Sequence, residues 1–196
     1  MMKGSISMPP KVKITKEQLI QAGLQLVKEE GHESLHARSL AKRMNISTQP
    51  IFRLFSNMES LKEAIRKQAL EIYHCYIDEG LQEELPFKGT GKKYIQFAKD
   101  EPRLFQFLFM DSLHQDYHHV EIEDQTRNEM LVSLIASTAH ISQEEARLFQ
   151  LETWIFVHGI ATMMATQTIH FDDEIISKML NNVFNGLKQE VRRENH

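Results

Sequence analysis

The sequence predicts an all-α protein in two parts, and three observations carry that prediction. Apolar residues recur at the i, i+3, i+4, i+7 spacing of one helix face along almost all of its 196 residues. Glycine and proline number only eight and five, too few to punctuate many strands. No alternating apolar run bounded by turn residues stands out. Hydrophobic residues make up 41% and charged residues 26%, which supplies a core and excludes disorder as the main state. No apolar run exceeds four residues (Trp154 to Val157 is one), so no segment can span a bilayer. The single cysteine, Cys75, excludes an intramolecular disulfide and a Cys-rich zinc site. The first residues lack the apolar core of a signal peptide and carry Pro9-Pro10 instead, which points to the cytoplasm. Met8 is an alternative start.

Residues 1–14 read as a basic, proline-containing arm. A first helix is expected over 15–30, opened by the capping-box pair Thr15 and Gln18 and stopped by Gly31. Its apolar face is Leu19, Ala22, Gly23, Leu26 and Val27. A short helix over 37–44 turns Leu40, Ala41 and Met44 inward. The turn Asn45-Ile46-Ser47 follows, with Asn45 suited to left-handed backbone. A third helix is expected over 48–55, with Ser47 as its cap and Pro50 in its first turn, where a missing N–H matters little. Asn57 caps a long helix to about 84, and 86–91 reads as a loop. Further helices are expected over 92–99, 102–110, 121–138, 143–168 and 173–193, with Ser142 and Glu145 as a second capping box.

Charge divides along the same line. Residues 1–62 carry ten basic side chains against five acidic ones, whereas the remaining 134 carry a net −9. A basic end on an acidic body is the footprint expected of a polyanion-binding end. Three short helices with a turn of about three residues between the second and third have helix-turn-helix dimensions. The third would present Thr48, Gln49 and Arg53, which suit thymine or adenine edges, guanine and phosphate, while Ile51 and Phe55 point inward. The domains expected are the arm, 1–14, a helix-turn-helix DNA-binding domain, 15–62, and a helical effector-binding and dimerisation domain, 63–196.

Residues 15–62 resemble the DNA-binding domain of TetR-family transcriptional regulators. The resemblance rests on Ile20 to Gly31, Leu40-Ala41, Asn45-Ile46-Ser47, Ile51 to Phe55 and Asn57 to Leu61. Gly91 to Phe109 and Trp154 to Gly159 are similar to the middle segment and the Trp-His-Gly signature of one C-terminal subgroup of that family. The resemblance implies base contacts from Thr48, Gln49 and Pro50, and a base or phosphate contact from Arg38. Lys11, Lys13, Lys42 and Arg53 are expected to meet phosphate, with Ser47 and Phe52 in the same interface. The family usually has Tyr where Phe52 stands and Lys where Met58 stands, so two phosphate contacts are missing here; its usual turn Gly is Asn45. Phe52 can equally be a packing residue.

In the C-terminal part, Phe97, Phe105, Phe109, Met130, Trp154 and His158 are the expected effector pocket, His158 supplying a hydrogen bond. Packing is the competing role for Trp154 and His158. Leu151, Ile155 and Thr162 on one helix, and Leu180, Val183 and Leu187 on another, are the expected homodimer interface. His114, His118 and His119 form a polar stretch whose His pair at i, i+4 could hold a metal, though a lone pair is a weak signal, and no metal or other cofactor is assigned. No catalytic motif is present. The expectation is a ligand-responsive repressor, not an enzyme, that leaves a palindromic double-stranded DNA operator when a small molecule binds. The alternative is a helical interaction or lipid-binding protein whose helix-turn-helix is vestigial.

Overall fold

Thr15 sets the first boundary. In the computed structural model, which describes residues 14–110 and 125–194, its hydroxyl oxygen accepts the Gln18 N–H at 3.2 Å while Gln18 Oε1 accepts the Thr15 N–H at 3.0 Å. The expected capping box is formed, and α1 runs Lys16–Glu30. It buries Leu19, Gly23, Leu26 and Val27, together with Leu24. Gly31 closes it at φ 88°, a backbone region that favours glycine.

A single 3-10 turn, His32–Ser34, leads into α2, Ala37–Arg43. His36 caps α2 with its ring, Nδ1 accepting the Ser39 N–H at 3.2 Å. The end of α2 is a Schellman turn: the Ile46 N–H donates to the Ala41 carbonyl at 3.0 Å and the Asn45 N–H to that of Lys42 at 3.2 Å. Asn45 takes φ 52°, the left-handed conformation expected of it. α3 is Gln49–Leu54, with Pro50 in its first turn. Ser47 is not its cap. The Thr48 carbonyl accepts the first N–H groups, from Ile51 at 3.1 Å and Phe52 at 3.4 Å, so Thr48 is the capping position and no side chain caps it.

Asn57 and Ser60 form a capping box that opens α4, Met58–Leu81. This one helix runs unbroken across the expected division at 62/63. α5 is Pro86–Asp100, so the stretch 86–91 is helix, not loop. The physical reason is tertiary. A Cβ on Gly89 would lie 2.3 Å from the Gly80 carbonyl oxygen, and one on Gly80 would lie 2.7 Å from the Thr90 backbone nitrogen. The glycines let the backbones of α4 and α5 touch, and Pro86 sits at the helix start, where its missing N–H is harmless.

α6 follows at Pro102–Phe109, α7 at Gln125–Ala139, α8 at Gln143–Ala165 and α9 at Asp173–Glu194. Ser142 and Glu145 form the other capping box expected from the sequence. α8 stops short of 168 because Gln167 turns left-handed at φ 56° and the Thr168 N–H closes onto the Met163 carbonyl at 2.9 Å. α5 packs between α4 and α8, and α1 packs on α4 and α6. One apolar core, including Leu19, Ile51, Leu61, Ile65, Phe97, Phe105 and Leu180, is continuous from α1 to α9. A smaller one joins Val132, Ile135, Ala146 and Phe149 beneath Phe87, Phe184 and Leu187. No described helix is long and apolar enough to cross a membrane.

Candidate functional site

The turn at Asn45 sets the angle between α2 and α3, and the core fixes it. Ile51 is fully buried in the same core as Leu19, Leu26 and Leu40, and Phe55 is buried beneath the Lys16 ammonium, 5.3 Å from its ring centre. With the inner face anchored, the outer face carries Gln49, Phe52 and Arg53, with Thr48 and Pro50 half-buried at its edge. Arg38, Lys42 and Ser47 stand exposed on α2 and the turn. Eight of the ten residues expected to meet DNA therefore lie on α2, the turn and α3, all but Thr48 and Pro50 exposed. The other two, Lys11 and Lys13, lie outside the described residues, as does the His114–His119 stretch. Phe52 is 50% exposed, which overturns its reading as a packing residue.

The cations differ in availability. Arg43 is held by Glu29 through two hydrogen bonds of 2.7 Å, which pin α2 to α1. That hydrogen bond holds the Glu29 carboxyl below the usual carboxylate range. Arg38, Lys42 and Arg53 have no ion pair among the described residues, so their charge is free for a polyanion.

A second constellation lies among α4, α5, α6 and α8. The Tyr94 hydroxyl and His158 Nδ1 are hydrogen-bonded at 2.9 Å. The Trp154 indole stacks on the His158 ring with centroids 5.0 Å apart and planes 22° apart. Phe105 and Phe109 pack on the same imidazole, and Tyr73 closes on Tyr94, Phe97 and Phe109 edge-on. Burial among these rings pushes the His158 imidazole below its ordinary 6.5, so it is neutral and can donate or accept. Nearby, burial and then the Asp100 carboxylate push the Tyr76 phenol up to about 12, which keeps it a donor to Asp100.

Phe97, Phe105, Phe109, Trp154 and His158 thus come together as expected. Met130 does not. It is 53% exposed on the outer side of α7, because the buried face of that helix is Val132, Ile135, Ala136 and Ala139. Tyr94 and Tyr73 are the members the sequence reading missed. Tyr94 lies one helical turn before Phe97, and that spacing could have found it.

α6 joins the two constellations. Phe105 and Phe109 belong to the aromatic cluster, while Phe107 stacks on His32 beside α1 at 6.3 Å. Arg103 donates to the last carbonyls of α1, Lys28 and Glu29, and Lys28 pairs with Glu101. Gln106 Nε2 donates to the Ala165 carbonyl at the end of α8 at 2.7 Å.

The expected dimer residues divide. Leu151 (45% exposed) and Ile155 (57%) form an outward apolar stripe on α8 with Leu148 and Met163, and Thr162 lies half-buried beside it. Leu180 is only 5% exposed and belongs to the protomer's own core, so it is not an interface residue. Val183 is half-buried, and Leu187 packs on the smaller core. The apolar face of α9 is covered within the chain. Periodicity shows such a face but not what covers it.

Residues 87–181, from α5 into α9, match the family model of the tetracyclin repressor-like C-terminal domain. Those residues are a TetR-type C-terminal domain. The fold of the chain is similar to that of a protein of unknown function from Rhodococcus sp. RHA1, at a TM-score of 0.70 and 14% identity over 94% of this chain and 99% of that one. A variant of TetR from Acinetobacter baumannii AYE, in complex with minocycline, is similar at 0.61 and 18%, over 94% and 99% of the two chains. The fatty acid degradation regulator FadR from Bacillus halodurans is similar at 0.60 and 14%, over 93% and 96%. No curated protein matches the chain in sequence.

Proposed function

We propose that the chain is a dimeric repressor that leaves a palindromic operator when a small molecule enters the aromatic cluster around His158. The observation that carries this reading is the position of α6, whose Phe105 and Phe109 touch that cluster while Phe107 and Arg103 touch the α1 end of the DNA-reading helices. A ligand that displaces one face of α6 acts on the other, and differential affinity for two arrangements is all that coupling requires. The outward face of α2 and α3 supplies the reading surface: Thr48, Gln49 and Pro50 toward bases, and Arg38, Lys42 and Arg53 toward phosphate. Those uncommitted cations also weigh against a vestigial helix-turn-helix. Small-molecule response is supported by the minocycline bound to one protein of this fold and by the metabolic role in the name of another.

The α8 stripe of Leu148, Leu151 and Ile155 supplies the dimer face, with Val183 of α9 at its margin. Gly159 and Gly186 lie inside helices, yet a Cβ on either would meet nothing within 4 Å. Helical glycine costs roughly 0.5–1 kcal/mol against alanine, and nothing among the described residues requires it. Close approach of a second copy would account for it.

Selection of bound sequences from a random DNA pool tests the function. Paired inverted half-sites about one turn, ~34–36 Å, apart are expected, with affinity that falls steeply with salt. A single asymmetric site, affinity flat in salt, or a monomer by light scattering at micromolar concentration would end this reading.

A further inference from the structure

We infer that Phe52 reads the methyl group of a thymine in the major groove, which makes it a base-discriminating residue. The inference rests on the DNA-reading function proposed above and adds to it a side chain that carries no hydrogen-bonding group.

Phe52 follows Gln49 by three residues and Thr48 by four, so all three share one face of α3, with Arg53 beside them. That face is polar apart from Phe52, which is half exposed. The ring has no aromatic or cationic partner among the described residues. Packing does not call for it, because Ile51, Leu54 and Phe55 already fill the inner side of the helix. Phosphate does not call for it either, since a phenyl ring has no donor to offer an anion.

The chemistry of the groove leaves one complement. Each base pair shows the major groove a pattern of donors and acceptors, and the single apolar group among them is the C5 methyl of thymine. An apolar ring in the middle of an otherwise polar reading face matches that group, and contact removes apolar surface from water on both sides. Gln49, one turn earlier on the same face, would hold the register of the neighbouring base pair.

The test uses the full-length protein and the half-sites recovered from the random pool. Each thymine is replaced in turn by deoxyuridine, which removes the methyl and leaves base pairing intact. At one position per half-site, the unmodified protein should lose about fourfold in affinity, the weight of one buried methyl group. Phe52→Ala should bind the thymine site as weakly as the unmodified protein binds the deoxyuridine site, and should lose nothing further on deoxyuridine. Phe52→Leu, which keeps an apolar side chain, should retain part of the sensitivity. An unchanged melting temperature in both variants separates the effect from misfolding. A pool that yields no bound sequence overturns the DNA-reading function and this inference together. Half-sites without thymine, indifference to deoxyuridine at every position, or a deoxyuridine loss that survives in Phe52→Ala overturns this inference alone.

Discussion

The guanidinium of Arg66 donates from Nη1 to the carbonyl oxygen of Leu108 at 3.1 Å, across 42 residues of sequence. Arg66 is a buried charge on α4, and Leu108 lies in the last turn of α6, where carbonyls lack helical partners. The same guanidinium lies over the Phe107 ring at 4.7 Å. The contact ties the long helix that follows α3 to the helix that touches the aromatic cluster. Replacing Arg66 with Met, similar in length but apolar, leaves the Leu108 carbonyl without its donor. The expected loss is about 1.5–3 kcal/mol in urea denaturation, the range for hydrogen bonds to charged groups, together with an altered DNA affinity. A variant as stable as its parent, with the same affinity, would show that the contact holds nothing.

Gly80→Ala should destabilise by about 1–3 kcal/mol, the range for forcing atoms into a filled space. The new methyl would press on the Thr90 backbone, which cannot rotate away as a side chain can. Chemical denaturation checks it, and an unchanged midpoint refutes the close contact of α4 with α5.

Gly159→Ala should have the opposite effect on the isolated chain. The methyl meets nothing among the described residues and gains helix propensity of roughly 0.5–1 kcal/mol. In the dimer it should raise the dissociation constant, measured by analytical ultracentrifugation. Tighter dimers would place the glycine outside the interface.

Stability should fall as pH drops below 6.5. Burial depresses the His158 pKa in the folded protein. The unfolded chain takes up a proton near 6.5 that the folded one refuses, so acid favours unfolding from that pH down to the depressed value. The melting temperature of His158→Gln should fall less over the same interval. Parallel profiles for the two proteins would remove His158 as a source of the slope.

Gln49 and Lys42 should separate base reading from anchoring. Gln49→Ala should cost roughly 1–3 kcal/mol of binding and relax preference at one base pair. Lys42→Ala should weaken all sequences alike and lower the salt slope by about one. Binding profiles over one set of operator variants decide, and the reverse pattern would invert the two roles.

Short-range features were legible in the sequence. The capping boxes at Thr15 and Ser142 and the cap at Asn57 act over three residues, and the left-handed turn at Asn45 depends on that residue alone, so each could be read locally. What was misread depends on distant partners. Gly89 looked like loop punctuation because its reason, Gly80, belongs to another helix. Leu180 looked available because amphipathicity does not say which surface covers it. Tyr94 was missed because its partner His158 is 64 residues away. Ser47 was displaced by one residue, within the ordinary uncertainty of a helix end.

The unbroken run of α4 has a mechanical consequence. Its 24 residues make a rod about 36 Å long at 1.5 Å per residue. With no joint between its ends, a tilt of about 5° at the aromatic end sweeps the opposite end through roughly 3 Å, close to the ~3.4 Å that separates stacked base pairs along one strand. In the proposed dimer, with two copies facing adjacent grooves, that sweep would double to a mismatch of more than one base step. In the repressor proposed above, such a lever would loosen the grip on a fixed site without any break in the helix.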